Sequence, residues 1–480
     1  MNALPVYSTL INAASQWPDK PAIHDEYGTM SFLQLLDEVN TLKEQLIRAG
    51  IQPGMGVGVM AKNGRNFIAA IFAVVACGAT VMPLSHQLKK NEIEAVLNEA
   101  ELHAIVDDFS GLNPTNNPIH LIDVNIGKMR LAFSNHPFIQ VFAPHVNAPA
   151  FIRFTSGTTG KAKGVVISHE SAIERVEAAN KILNLGSDDT VIWVLPIAYH
   201  FVVSILLYVR FGAAIAIARD FLAKNIIEIT NQYKGTLLYA SPMQIRLLAN
   251  DGGTEKMNSL KRVISTSAPI TAETCQLFEQ RYQLKVSQAY GIIEIGLPLI
   301  NHQITEDNID SVGFVLPDYD VQILDENNAF LPKGAIGKLG IKGPGMFDAY
   351  LSPPLKRSEV LVNGYFITAD FAMVLDDGSV KIHGREKSMI NVSGNKVFPE
   401  EVEGVLETYP GIKLAKVSAI PHRLMGQIIK ADIVLSNSVI EIDQEEVLTY
   451  CRKRLSTYKI PQKIDIVSAV EMTATGKIQR

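Results

Sequence analysis

The sequence predicts an α/β protein in two parts: a large N-terminal unit of stacked, mostly parallel sheets with helices plus a β unit, then a small α+β C-terminal unit. Three observations lead there. Helix-like stretches alternate with short β-branched runs through the first half, the texture shifts near Asn308 to closely spaced strands and turns, and after SVKIHGREKS it shifts again. Alternating helices and apolar strands imply largely parallel sheets covered on both faces. At 480 residues the chain is also too long for one ordinary core.

The elements follow in order. SFLQLLDEVNTLKEQLIRAG is an amphipathic helix stopped by Gly50, and GMGVGVMA is the strand after it. NEIEAVLNEAE and LHAIVDD repeat that pairing, as do KNIIEITNQYK with GTLLYASP and TAETCQLFEQRYQ with LKVSQAYG. FIRF (Phe151 to Phe154) reads as a strand leading into TSGTTGKAKG, and GVVISHESAIERV leaves as a second strand and then a helix. DVQILDENNAFLPKGAIGKLGIKGPG predicts antiparallel strands with turns at Glu326-Asn327-Asn328 and Lys333-Gly334. PEEVEGVLETYP is a helix with an acidic start, and AKVSAIPH, KADIVLS, QEEVLTYCRKRLS and KIDIVSAV complete the small unit. The boundary is placed near Lys387, which gives units of 1–386 and 387–480.

Bulk composition narrows the function. Hydrophobic residues make up 47%, charged residues 19%, and the formal net charge is −5, as in an ordinary soluble globular protein. That mild acidity argues against nucleic acid as a partner, which calls for a basic face. Cys77, Cys275 and Cys451 stand far apart without a CxxC pair, so buried free thiols in a reducing compartment are expected. The N-terminus shows no basic start followed by a long apolar stretch. Phe67 to Ser85 and Val191 to Val209 are long enough to span a membrane. Gly78 and Pro196 interrupt them, so each reads as buried helix and strand pieces. The expectation is a cytoplasmic protein with no integral membrane segment.

TSGTTGKAKG (Thr155 to Gly164) concentrates hydroxyls, glycines and lysines, which attract negative charge and let the main chain turn closely around it. A polyphosphate is the natural guest. The loop differs from that of the P-loop NTPases: Gly157 and Gly160 are two residues apart, and Ala162 follows Lys161 where Ser or Thr would ligate magnesium. A phosphate loop after a strand is recurrent in α/β nucleotide enzymes.

Six stretches now combine. The loop, AYGIIE (Ala289 to Glu294), GKLGIKGPGMFDAY (Gly337 to Tyr350), YFITADFAMV (Tyr365 to Val374), GREKSMINVSGNKVFPEEVE (Gly384 to Glu403) and TATGKIQR (Thr473 to Arg480) stand in the order of the adenylate-forming superfamily. The chain resembles that family over nearly its whole length, closest in pattern to the acyl- and aryl-CoA ligases. The resemblance implies a large N-terminal domain with a small mobile C-terminal lid. It also implies a two-step reaction, in which ATP and a carboxylate give acyl-AMP and pyrophosphate, and a thiol then displaces AMP. ATP, Mg²⁺ and CoA are the implied cofactor and cosubstrates.

The same resemblance assigns roles. Carboxylate attack on the α-phosphorus brings two anions together, so preorganised donors are needed at the phosphates. Thr155, Ser156, Gly157, Thr158, Thr159, Gly160 and Lys163 would grip the phosphates; Ala162 stands where the family usually has proline. Glu294 would ligate Mg²⁺. Ile293 replaces the usual threonine, which removes one phosphate-contacting hydroxyl. Ala289, Tyr290, Gly291 and the stretch with Ser267, Ala268 and Pro269 would hold the base, with Tyr290 stacking near adenine. Asp370 would take both ribose hydroxyls and Arg385 would add a ribose contact. Lys477 would reach the acyl carboxylate and α-phosphate, and its loss is expected to slow adenylation roughly 10²–10³-fold. Lys387 is the hinge, and rotation about it would bring Gly394 in to shape the thiol channel.

Adenylation domains for α-amino acids carry an aspartate in the stretch matching Pro196 to Tyr208, and none is present here. An ammonium buried there would go unpaired. His200 resembles the gate beside the carboxylate, one residue further from the proline than usual. Phe201, Val202, Ile205, Ser241, Met243 and Ile292 suggest an apolar pocket for a fatty or aromatic acid. The chain shows no room for the inserted segment of fatty acyl-AMP ligases, which favours CoA over an acyl or peptidyl carrier protein. The competing class is an inactive nucleotide-binding module, for which Ile293 speaks; retention of Glu294, Asp370, Arg385 and Lys477 speaks against it.

Overall fold

The computed structural model describes residues 4–110, 117, 119–155, 163–392, 395–422, 426–436, 439, 441–472 and 478. Two nine-stranded sheets dominate the N-terminal part. In the first, six neighbouring strands from Pro21–Asp25 to Val286–Ile292 run parallel, and antiparallel strands finish both edges. In the second, Ala104–Asp107, Gly56–Ala61, Thr80–Ser85 and Pro149–Thr155 form the parallel centre. Their strands read as unbroken apolar runs because both faces are covered; every residue of Gly56–Ala61 and of Leu237–Ala240 is buried.

Helix Phe32–Arg48 begins at a capping box between Ser31 and Gln34 and buries Phe32, Leu35, Val39, Leu42 and Leu46 on one face. Helix Arg65–Ala76 buries every residue from Phe67 to Val75, all of them apolar, so it lies inside the core shared by both sheets. Its one charge, Arg65, pairs with buried Asp25 at 2.6 Å. The two long apolar stretches divide as expected, at Gly78 and Pro196, and no helix among the described residues is long and apolar enough to cross a membrane. The three cysteines are buried and unpaired, and burial pushes the thiols of Cys77 and Cys275 up to about 12.

A four-stranded antiparallel sheet follows, from Asp320–Leu324 to Val380–Arg385. Both expected turns lie in it, with Asn328 and Gly334 at positive φ. The last unit has its own core, from Ile390 to Ile464, beneath helices Pro399–Glu407 and Gln444–Arg452. The proposed division of 1–386 from 387–480 falls just ahead of that core. Arg246 bridges the two units through Glu407 at 2.9 Å, and Lys396 does so through Glu326 at 2.7 Å.

Candidate active site

Strands Pro149–Thr155 and Lys163–Ser168 pair antiparallel, with Thr155 opposite Lys163. The glycine-rich loop is therefore the connection of a hairpin. Helix His169–Leu183 starts only after the second strand, the strand-then-helix order expected after the loop. Ser156, Gly157, Thr158, Thr159 and Gly160 lie outside the described residues, as do Gly394 and Lys477. Lys163 is half-buried, with Nζ 4.8 Å from the centre of the Tyr350 ring.

Tyr350 links that lysine to Glu294, donating from Oη to Oε1 at 3.4 Å. Glu294 stands on the turn between Val286–Ile292 and Gly296–Ile300. The strands approach so closely that a Cβ on Gly291 would lie 2.5 Å from the Gly296 carbonyl oxygen, which explains glycine there. Arg175 holds the turn: its Nη1 donates to the Ile293 carbonyl at 3.0 Å and its Nε to Gly345 O at 2.9 Å. The Phe347 amide donates to the Glu294 carbonyl at 2.7 Å. Burial lowers the Arg175 guanidinium to about 10 and raises the Glu294 carboxyl above its ordinary value, against the opposing pull of Arg153 and Arg175. Ile293 is buried in the main core, so this position contributes a carbonyl to the frame and no hydroxyl to the site.

A second cluster forms around Asp370. Asp370 and Arg385 face each other on adjacent antiparallel strands, and Arg385 Nε lies 3.2 Å from Asp370 Oδ1. Tyr290 arrives from the first large sheet, and its hydroxyl donates to Asp370 Oδ2 at 2.6 Å. Burial, and then the neighbouring carboxylate, push the Tyr290 phenol well above its usual range. Tyr290 is thus anchored at its hydroxyl by the residue expected to take the ribose.

On the expected acid side, His200 is half-buried at the end of helix Ile197–His200, its ring edge-on to Trp193 at 5.5 Å and to Tyr239 at 6.4 Å. Val202 is buried and Ile292 half-buried. Phe201 and Ile205 depart from the expectation. They are 1% and 0% exposed, and the Phe201 ring packs against Phe72 and Phe151, so both belong to the core rather than to an open pocket. Ser241 heads helix Pro242–Ala249, its backbone amide donating to Gln244 Oε1 at 2.7 Å, and Met243 is exposed on that helix. Ser267 has φ +77 just past strand Arg262–Ser265, with Ala268 half-buried and Pro269 exposed, and Ala289 is buried on the adjacent strand Val286–Ile292. Lys387 is exposed on the turn between Val380–Arg385 and Ile390–Val392.

Sequence reasoning missed Arg153, Arg175 and Tyr350. Only Arg153 carries a sequence signal, a lone arginine inside the apolar run FIRF; Arg175 lies between Glu174 and Val176 with no such mark.

The AMP-binding enzyme family model matches residues 10–351, and that of the AMP-binding enzyme C-terminal domain matches residues 401–477. The chain belongs to the AMP-binding enzyme family. It is an AMP-forming ligase of the acyl-adenylate type. An uncharacterised acyl–CoA ligase of Bacillus subtilis, YtcI, is 27% identical over 99% of this chain and 95% of its own length. A feruloyl-CoA synthase of Amycolatopsis sp is 24% identical over 98% and 96%. Among solved structures, ATP-bound MatB from Rhodopseudomonas palustris shares the fold, with a TM-score of 0.85, 22% identity, and coverage of 99% of this chain and 97% of that one.

Proposed function

We propose that the protein condenses an apolar fatty or aromatic acid with ATP to give acyl-AMP and pyrophosphate, and then transfers the acyl group to the thiol of CoA. The observation that carries this reading is the convergence of Tyr290 and Arg385, from separate strands, on the Asp370 carboxylate, within a chain of this family. A carboxylate accepts from both hydroxyls of a vicinal diol, which suits a ribose. Lys163 and the hairpin loop face the phosphates in this reading, and Lys477 bridges the acyl carboxylate and the α-phosphate.

Mg²⁺ fits Glu294. The residue is a half-buried carboxylate, and among the described residues it has no ion pair and no group of three or more acidic, histidine or cysteine side chains competes with it. One carboxylate plus substrate phosphates is the usual magnesium arrangement. The ion would neutralise phosphate charge, while Arg175 and Tyr350 fix the carboxylate that holds it. Lack of an acidic residue from Pro196 to Tyr208 supports an acid without an α-ammonium. His200, between Trp193 and the bound acid, would exclude water from the reacting carboxylate.

The test is pyrophosphate exchange into ATP, measured with a panel of fatty, aromatic and α-amino acids. Exchange that depends on a fatty or aromatic acid and disappears in Lys477→Ala supports the proposal. Exchange only with α-amino acids overturns the acid assignment.

A further inference from the structure

Strand Pro149–Thr155 carries Phe151 and Arg153 on one face, since side chains alternate along a strand. Phe151 ends in the aromatic core against Phe201. Arg153, one step nearer the phosphate loop, turns that face from apolar to cationic. Its Nη1 donates to the Tyr199 carbonyl at 2.6 Å, and its Cζ lies 5.0 Å from the centre of the Tyr199 ring. Its Nε is sealed from solvent without an acceptor among the described residues. Among the described residues it pairs with no carboxylate; Glu294 is near enough to act on its charge but not to bond it. Burial weakens the charged form, yet an arginine keeps its proton. The residue as a whole is only half-buried.

A sheltered guanidinium with one neutral acceptor and one orphaned N–H is an incomplete anion site. Both of its contacts are to Tyr199, the neighbour of His200, which places it on the acid side, whereas Lys163 sits across the hairpin beside Tyr350. We propose that Arg153 reads an oxyanion of the substrate, and that the preferred acid carries a second acidic group on an apolar body. The inference rests on the proposed acid activation and narrows its substrate class. An ATP phosphate oxygen presents the same chemistry, so the test separates the two.

Wild type, Arg153→Gln and Arg153→Leu are compared on hexanoate against adipate and on benzoate against isophthalate. Both kcat/KM for the acid and KM for ATP are measured. In at least one pair wild type should prefer the diacid, and Arg153→Leu should lose roughly 10–100-fold on it, the scale of a charge-assisted pair. The monoacid and the KM for ATP should change less than about threefold. Equal losses on both acids with a raised KM for ATP would move the oxyanion to ATP and overturn the acid assignment. Unchanged preference with a lowered melting temperature would make Arg153 purely structural. Binding is read separately, from the rise in melting temperature that adipate or isophthalate gives with AMP present. A rise in wild type that Arg153→Gln lacks supports the inference even if no acid turns over, and equal rises overturn it. Absence of AMP from every acid would count against acid activation itself, not against this subsite.

Discussion

Asp370→Asn isolates the proposed ribose contact. The carboxylate now accepts from Tyr290 Oη at 2.6 Å and pairs with Arg385 Nε at 3.2 Å. Asparagine keeps the shape but offers one acceptor oxygen in place of two. If its amide nitrogen faces Arg385, two donors meet; if it faces the ribose, one hydroxyl loses its acceptor. A hydrogen bond to a charged group contributes about 1.5–3 kcal/mol. The Arg385 pair is half-exposed on the arginine side and adds at most ~1 kcal/mol. Together these predict a roughly 10–100-fold rise in KM for ATP. The assay is acid-dependent pyrophosphate release at varied ATP and 2′-deoxy-ATP. Wild type should discriminate against the deoxy analogue, and the variant should discriminate much less, because each change removes part of one interaction. A folded Asp370→Asn enzyme with unchanged KM for ATP and unchanged discrimination would rule out the ribose contact.

Three further outcomes are expected. Glu294→Gln should cut acid-dependent AMP formation roughly 10²–10³-fold. Because burial raises this carboxyl in the folded state, ionising it weakens the fold as pH rises past the ordinary glutamate pKa, so the variant should melt at or above the wild-type temperature at pH 7. His169 is buried and held down to about 4, its Nδ1 accepting from the Val6 amide at 3.4 Å. The stability this contributes is present above the unfolded value near 6.5 and is lost as pH falls toward 4. Urea unfolding of His169→Gln should show a shallower loss over that window, and an unchanged slope would contradict it. Phe201→Ala should lose about 3–5 kcal/mol of stability by leaving a cavity between Phe72 and Phe151. A change in acid KM without that loss would return Phe201 to the pocket.

Much of the fold was legible because it is written in local patterns. The amphipathic helix stopped by Gly50, the apolar strand Gly56–Ala61 and the turn at Gly334 each declare themselves within a few residues. The site was legible as motifs but not as geometry. Tyr290 and Asp370 are 80 residues apart and meet only because two sheets bring their strands together. Arg175 works through backbone carbonyls on Ile293 and Gly345, which no sequence spacing encodes. Phe201 looked like pocket lining because an apolar side chain carries no mark of which side of a helix meets the core. The hairpin around the glycine loop was hidden for a related reason: two short strands in succession do not state whether they pair.

Acid activation through AMP and transfer to CoA each leave a distinct product. Purified protein would be incubated with ATP, Mg²⁺ and a panel of fatty, aromatic and dicarboxylic acids, with and without CoA, and the products identified by mass spectrometry. AMP should appear together with the acyl-CoA of one acid class, and both products should be lost in Lys477→Ala. Acyl-AMP that accumulates despite CoA would move the acceptor to a carrier-protein phosphopantetheine. ADP as the nucleotide product, or no AMP with any acid, would contradict the account.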